Sequence, residues 1–287
     1  MNSSPRREGF RAILAGQRCL HPASVFDPIS ARIAADLGFE LGMFAGSTAA
    51  LTVLGAPDLV LLSLAEFAEQ ASRICRAAEL PLLVDADHGF GNALSVKRTV
   101  EELETAGVAG LTIEDTWLPA AFGDRGASRL IPVQEGVGKM RAALAGRQDP
   151  RLVILGRTSA VAITGLEDAL ERVRAYEAAG VDGLFLVGVK TRAQLAAISA
   201  AVKLPLVLGN ATGELEALDY LIANRVRVCL QGHLPFMAGV RAVYETMKAL
   251  RDGTPPQQIS QVASSELMKQ VTREAEYQRW TKEFLGA

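Results

Sequence analysis

Two carboxylates, Asp85 and Asp87, close the apolar run Pro81-Leu82-Leu83-Val84 and precede a glycine-rich turn, His88-Gly89-Phe90-Gly91-Asn92. Alternate residues of a strand face the same side, so both acids can aim at one point. Like charges that close repel unless one is protonated or a cation bridges them. A hard divalent ion with oxygen ligands is the simplest bridge. A second apolar run, Leu111-Thr112-Ile113, ends in Glu114-Asp115. Any one of these acids alone reads as readily as a helix N-cap or turn former. Asp85, Asp87 and Glu114 at matching ends of successive strands read as a Mg²⁺ site. Mg²⁺ keeps several waters and few protein ligands, so Asp87 is expected to bind directly, with Asp85 and Glu114 acting largely through water. Mn²⁺ would accept the same oxygen donors.

The elements that must position these acids alternate regularly. A helix over 5–16 precedes a first strand, 19–26, and Asp27-Pro28 opens a helix as N-cap and first residue. Further strands are read at 40–45, 81–84, 110–115, 152–156, 183–189, 205–209 and 226–230. Helices follow at 64–79, 94–106, 132–146, 165–180, 192–202, 213–224 and 235–250. Strands that are short apolar runs fit a sheet buried on both faces. Eight strand–helix pairs suggest an α/β fold, a (β/α)8 TIM-type barrel. It carries an N-terminal helix and, after Gly253-Thr254-Pro255-Pro256, a C-terminal helical extension with a helix at 264–285. The expected organisation is a single barrel domain over 1–287 with 253–287 as that extension. An open doubly wound sheet is the alternative, but no Gly-x-Gly-x-x-Gly turn follows the first strand.

A net charge of −2 gives no bulk basic signal for nucleic acid or an anionic membrane. Neither a secretory signal nor a transmembrane span is expected. The three cysteines, Cys19, Cys75 and Cys229, are too widely spaced for a zinc motif or a disulfide framework, which fits a reducing, cytoplasmic compartment.

In a barrel the C-terminal ends of all strands face one mouth, where active sites lie. Asp27, Gly46-Ser47-Thr48, Asp85, Asp87, Glu114, Arg157, Lys190, Asn210 and His233 would converge there. Acids with Mg²⁺ suit an oxygen-rich chelating anion such as a 2-oxo acid, whose enolate the ion would stabilise. Arg157 could clamp a carboxylate bidentately or serve as a rim salt bridge. Backbone N–H groups at Gly46-Ser47-Thr48 could form an anion hole or an ordinary turn. Decarboxylating a 3-carboxy-2-oxo acid needs only an electron sink; retro-aldol cleavage also needs a base and an acid. His233 is the one proton carrier at a post-strand position, and His88 could hold a carboxylate from behind. His21 lies toward the opposite end, and Cys229 reads as core. Lys190 leaves a Schiff-base aldolase as a rival, although such an enzyme needs no acid cluster. A barrel kept only to bind a metabolite is a further rival.

Asp85-Ala86-Asp87-His88-Gly89-Phe90-Gly91-Asn92 with Ile113-Glu114-Asp115 resembles the isocitrate lyase/phosphoenolpyruvate mutase superfamily, whose members usually carry Asp-Ala-Asp-Thr-Gly-(Phe/Tyr)-Gly. Gly46-Ser47-Thr48, Asp58 and Gly156-Arg157-Thr158-Ser159-Ala160 extend the likeness through most of the chain. The resemblance implies a Mg²⁺-dependent barrel acting on 2-oxo acids, commonly a homotetramer exchanging its eighth helix, although a dimer stays open. It places Asp58, Asp85, Asp87 and Glu114 at the metal, and Ser47, Thr48 and Arg157 on the substrate carboxylate and enolate oxygen. Cleaving members carry Lys-(Lys/Arg)-Cys-Gly-His after the fourth strand. Here the loop reads Leu118-Pro119-Ala120-Ala121-Phe122-Gly123-Asp124, without that acid, and the mutase's polar gating loop is absent too. With His88 in place of Thr and His233 at the mouth, the chain is similar to the oxaloacetate decarboxylase branch. That branch implies conversion of oxaloacetate to pyruvate and CO2 through a metal-stabilised enolate, with His233 on the substrate and Ala120, Ala121 and Phe122 as a drier lid. The alternative is a carbon–carbon lyase or hydrolase of a related diacid in the same superfamily.

Overall fold

The computed structural model describes residues 3–123, 126 and 128–286; Asp124, the last residue of the loop sequence read at 118–124, lies outside them. The chain divides into two compact units, Met1–Gly232 and His233–Ala287.

The first unit opens with α1 (Ser4–Ala15), β1 (Ala23–Ser24), α2 (Pro28–Asp36), β2 (Gly42–Phe44) and α3 (Gly46–Ala49), which runs into a π-helical turn, Ala50–Leu54. It continues with α4 (Leu64–Ala77), β3 (Leu82–Asp85), α5 (Ala93–Ala106), β4 (Gly110–Glu114), α6 (Val133–Gly146) and β5 (Val153–Thr158). It ends with α7 (Ala160–Ile163), α8 (Leu166–Ala179), β6 (Gly183–Leu186), α9 (Arg192–Ala201), β7 (Leu206–Leu208), α10 (Leu218–Ala223) and β8 (Val226–Cys229). The eight strands are parallel and hydrogen-bonded in chain order. Leu20 closes the ring: its N–H donates to the Arg227 carbonyl (2.9 Å) and its carbonyl accepts from the Cys229 N–H (2.9 Å). The (β/α)8 barrel expected from the alternation is the observed architecture.

Strand pleating sorts the side chains into two cores. Leu82, Val84, Leu111, Ile113 and Ile154 point out against the helices. Met43, Leu83, Val153, Leu155, Phe185, Val207 and Val228 fill the interior together with Phe10 and Leu14 of α1. The N-terminal helix therefore supplies interior core. Phe10 is fully buried and lies against Gly110, where an added Cβ would come within 2.6 Å of its ring. Arg7 secures the helix through Asp149 (2.8 Å) and the Glu104 carbonyl (2.7 Å), and Arg11 through Asp182 (3.0 Å).

Caps set several helix starts. Asp27 accepts from the Ser30 N–H at 2.7 Å, so this acid is a helix cap. Asn92, Ser63 and Thr191 cap α5, α4 and α9 in the same way. The helix expected over 213–224 is broken into a 3-10 turn, Gly213–Leu215, and α10. The second unit holds α11 (Leu234–Arg251), α12 (Ser265–Thr272) and α13 (Glu274–Leu285). The single helix expected over 264–285 is interrupted at Arg273, whose φ of 60° is left-handed. Among the described residues, no helix is long and apolar enough to cross a membrane. Cys19, Cys75 and Cys229 are free thiols in the core.

Replacing Phe10 by Ala leaves a cavity inside the barrel and should destabilise the protein by about 3–5 kcal/mol. Urea unfolding followed by far-UV circular dichroism measures it, and a loss below about 1 kcal/mol would show that α1 is not part of the core.

Candidate active site

Asp85 on β3, Thr112 and Glu114 on β4 and Arg157 on β5 share the inward face of adjacent strands, in a register that pairs Asp85 with Thr112 and Glu114 with Arg157. Arg157 was expected just beyond its strand; β5 instead runs on through Thr158, which fixes the arginine backbone in the sheet. Its guanidinium contacts Asp85 and lies 3.4 Å from Glu114 Oε2. Both readings of this arginine therefore meet in one side chain: it is an ion-pair partner, and a cation at the strand ends. The Phe185 ring supports it, with Cζ 5.4 Å from the ring centroid. Asp85 also accepts from the Thr112 hydroxyl (2.7 Å), and Glu114 from the Thr116 hydroxyl (2.7 Å).

Asp87 follows the strand in a left-handed conformation, φ 47°. Its carboxylate lies against Gly46, where a Cβ would sit 2.5 Å from one oxygen and 2.6 Å from the other. Only glycine permits that approach, so the start of α3 and the acid pair are fitted to each other. Gly46, Ser47 and Thr48 form the first turn of α3. The Thr48 hydroxyl is turned away, donating to the Ala45 carbonyl at 3.0 Å.

Burial pushes the Asp87 carboxyl well above the usual carboxylate range, and the charges of Asp85, Glu114 and Asp58 add to it; Arg157 offsets only part. Burial also raises Glu114, with Arg157 opposing and Asp85 reinforcing the shift. Asp58, recruited to the site by resemblance alone, is thus near enough for Asp87 to feel its charge. One arginine faces four acids, all hard oxygen donors. That donor set and its excess negative charge fit a divalent cation of the Mg²⁺ type. No three acid, histidine or cysteine side chains among the described residues close into a ready cage. An ion that retains its waters does not require one.

The other expected participants have varied surroundings. Asp115, the neighbour of Glu114, points outward and is fully buried, accepting from Tyr176 (2.6 Å) and Arg172 (3.0 Å). The His88 ring packs near Phe90 with Nδ1 unpartnered, and burial, aided by Lys139, lowers its pKa to about 4. No hydrogen bond links that ring to a carboxylate among the described residues. His21 Nδ1 lies 2.8 Å from the Cys229 carbonyl. Lys190 and Asn210 are exposed, as are Ala120, Ala121 and Phe122, which do not form a dry cover here. His233 is the N-cap of α11 in the second unit. Sequence reasoning missed Thr112, Phe185, Gly46 as the cradle of Asp87, and Lys139. Thr112 was legible, since it lies two residues before Glu114 and must share its face.

A family model described as phosphoenolpyruvate phosphomutase matches residues 10–251. The chain belongs to the phosphoenolpyruvate phosphomutase family. Among proteins of this kind, it is similar to one from Bradyrhizobium diazoefficiens named oxaloacetate decarboxylase, with 60% identity over 281 residues, 98% of this chain and 97% of that one. Its fold is similar to the crystal structure of a phosphoenolpyruvate phosphomutase from Streptomyces platensis subsp. rosaceus, with a TM-score of 0.87 and 26% identity, covering 97% of this chain and 99% of that one. A phosphonopyruvate hydrolase in complex with oxalate and Mg²⁺ is similar too, with a TM-score of 0.85 and 26% identity, covering 98% and 99% of the two chains. That likeness places a Mg²⁺-binding protein within the same fold.

The crowding of acids has a cost that can be measured. In EDTA at about pH 7.5, Asp87→Asn should melt higher than the unsubstituted protein by about 2–6 °C, because a disfavoured charge is removed. Folded Asp87 binds its proton more tightly than unfolded Asp87, so the unsubstituted protein gains stability as pH falls through the raised pKa. The gap should narrow toward the ordinary carboxylate range. A variant that melts lower at both ends of the range would contradict the electrostatic account.

Proposed function

We propose that this protein decarboxylates oxaloacetate, releasing CO2 and forming pyruvate through its enolate. One observation carries the reading: the 60% identity to a protein named oxaloacetate decarboxylase spans 98% of this chain and 97% of that one. The chemistry is consistent with it. When the bond from C3 to its carboxylate breaks, the electron pair passes into the keto group, and pyruvate forms once C3 takes up a proton.

Asp85, Asp87, Glu114 and Asp58 would hold Mg²⁺, or Mn²⁺ with the same donors. When bound, such an ion supplies Lewis acidity at the keto oxygen. Arg157, braced by Phe185 and by two carboxylates, is the residue to hold the substrate carboxylate in one orientation. Ser47 and Thr48 would add main-chain N–H donors from the first turn of α3. His233 is included as a substrate contact by sequence resemblance. Residues 118–123 contain no Cys, Lys or His, so the acid of the cleaving relatives has no counterpart there. A homotetramer, or a dimer, is the proposed assembly. It is supported by α11, an 18-residue helix with no buried side chain that exposes Leu234, Met237, Val240, Val243, Tyr244, Met247 and Leu250. A cytoplasmic location is supported by the free cysteines.

Pyruvate formation from oxaloacetate, measured in Mg²⁺, in EDTA and in an enzyme-free metal blank, tests the reading directly. Saturable turnover above the blank and its loss in EDTA are expected. Glyoxylate or acetate in place of pyruvate would mean that a lyase or hydrolase occupies this fold instead. Asp87→Ala should abolish metal-dependent turnover, and near-normal activity would remove the metal assignment. His233→Ala should slow decarboxylation by roughly 10²-fold or more; an unchanged rate would return that residue to a structural role.

A further inference from the structure

The turn that carries Asp87 is strained, and it is held from behind. Asp87 and Phe90 are both left-handed without being glycine, at φ 47° and 58°. Aspartate tolerates that conformation better than most residues, but for a bulky residue such as Phe90 it is costly and persists where the surrounding structure holds it. Three successive carbonyls of the turn are tied to three different elements. The Asp87 carbonyl accepts from the Glu114 N–H at 2.8 Å, the His88 carbonyl from Lys139 Nζ at 2.8 Å, and the Gly89 carbonyl from the Thr99 hydroxyl at 3.1 Å. Of these donors only Lys139 carries a charge. It lies on the buried face of α6, in the stripe Gly136, Lys139, Met140 and Ala143, and is 3% exposed. Burying an ammonium is unfavourable, and a methionine would fill similar space without desolvating a charge. The lysine in that stripe therefore calls for a role.

We propose that Lys139 is a positioning residue for the divalent-cation site: by pinning the His88 carbonyl it locks the left-handed turn that sets the Asp87 carboxylate against Gly46. The inference rests on the reading of Asp58, Asp85, Asp87 and Glu114 as that site. Burial lowers the pKa of Lys139, while Glu135 on its own helix and then Glu114 and Asp115 favour its charged form. The same proximity supplies a test by sign. A cation beside the acids repels a second cation, so on charge alone its removal should tighten metal binding. If Lys139 acts by holding the turn, its removal should weaken binding.

The measurement is Mn²⁺ binding to the whole protein without substrate, by electron paramagnetic resonance of the free ion, with folding checked by circular dichroism and melting temperature. Asp87→Ala serves as the control for the site itself. Lys139→Met is expected to bind Mn²⁺ about tenfold more weakly than the unsubstituted protein, and Lys139→Gln, which keeps a neutral donor, to fall between them. Equal or tighter binding by Lys139→Met overturns the proposal. Should that variant fail to fold, Lys139→Gln decides: binding at least threefold weaker supports positioning, and equal or tighter binding overturns it. Binding that is lost in Asp87→Ala but untouched by the Lys139 variants removes this inference alone. An unsubstituted protein that binds no Mn²⁺ removes the metal reading and this inference with it.

Discussion

The guanidinium of Arg157 between Asp85 and Glu114 is the interaction on which the mouth of the barrel depends. Acids packed this closely in a partly desolvated place would otherwise drive one another to the protonated state. An arginine suits the position because it stays charged and presents a planar fork to both carboxylates at once. It can do so because β5 continues through Thr158 and keeps the side chain on the inward face. Phe185 from the next strand supports it from the barrel interior. The compensation is incomplete: Asp87, two residues beyond the strand, remains in the field of three other acids. That remaining negative charge is what the proposed divalent cation would offset.

Neighbouring acids in the chain serve opposite purposes. Glu114 faces inward and joins the cluster; Asp115 faces outward and joins Tyr176 and Arg172. The outward network is part of the frame. Arg172 also donates to the Ile131 carbonyl at 3.0 Å, and the Ile131 N–H donates to the Asp115 main-chain carbonyl at 2.9 Å, so the far end of the 116–131 loop is fastened beside its near end. Consecutive residues at the end of β4 thus face opposite ways, one toward the acid cluster and the next toward the scaffold.

The pattern of short apolar strands and helices made the barrel readable, because burial on both faces leaves no polar alternation and the repeat occurs eight times. The helix starts at Asp27 and Ser63 were equally local matters, decided by side chains bonding their own backbone. The acids were legible for the same reason: Asp85, Asp87 and Glu114 end successive strands, and strand ends converge in a barrel. The break at Arg273 and the splitting of the 213–224 helix were not, since no proline marks either place.

By itself the sequence determined which residues stand at the strand ends, and hence the oxygen-rich character of the site. It also determined that residues 118–123 after the fourth strand hold no Cys, Lys or His. Only the tertiary structure decided who compensates whom. That Arg157 pairs with Asp85 on a non-adjacent strand, that Gly46 leaves room for Asp87, and that Lys139 reaches the His88 carbonyl all depend on distances across the fold. The physical reason is that backbone preference and hydrophobic periodicity act over a few neighbouring residues. Charge compensation and close packing act between side chains far apart in the chain, and those become neighbours only when the barrel closes.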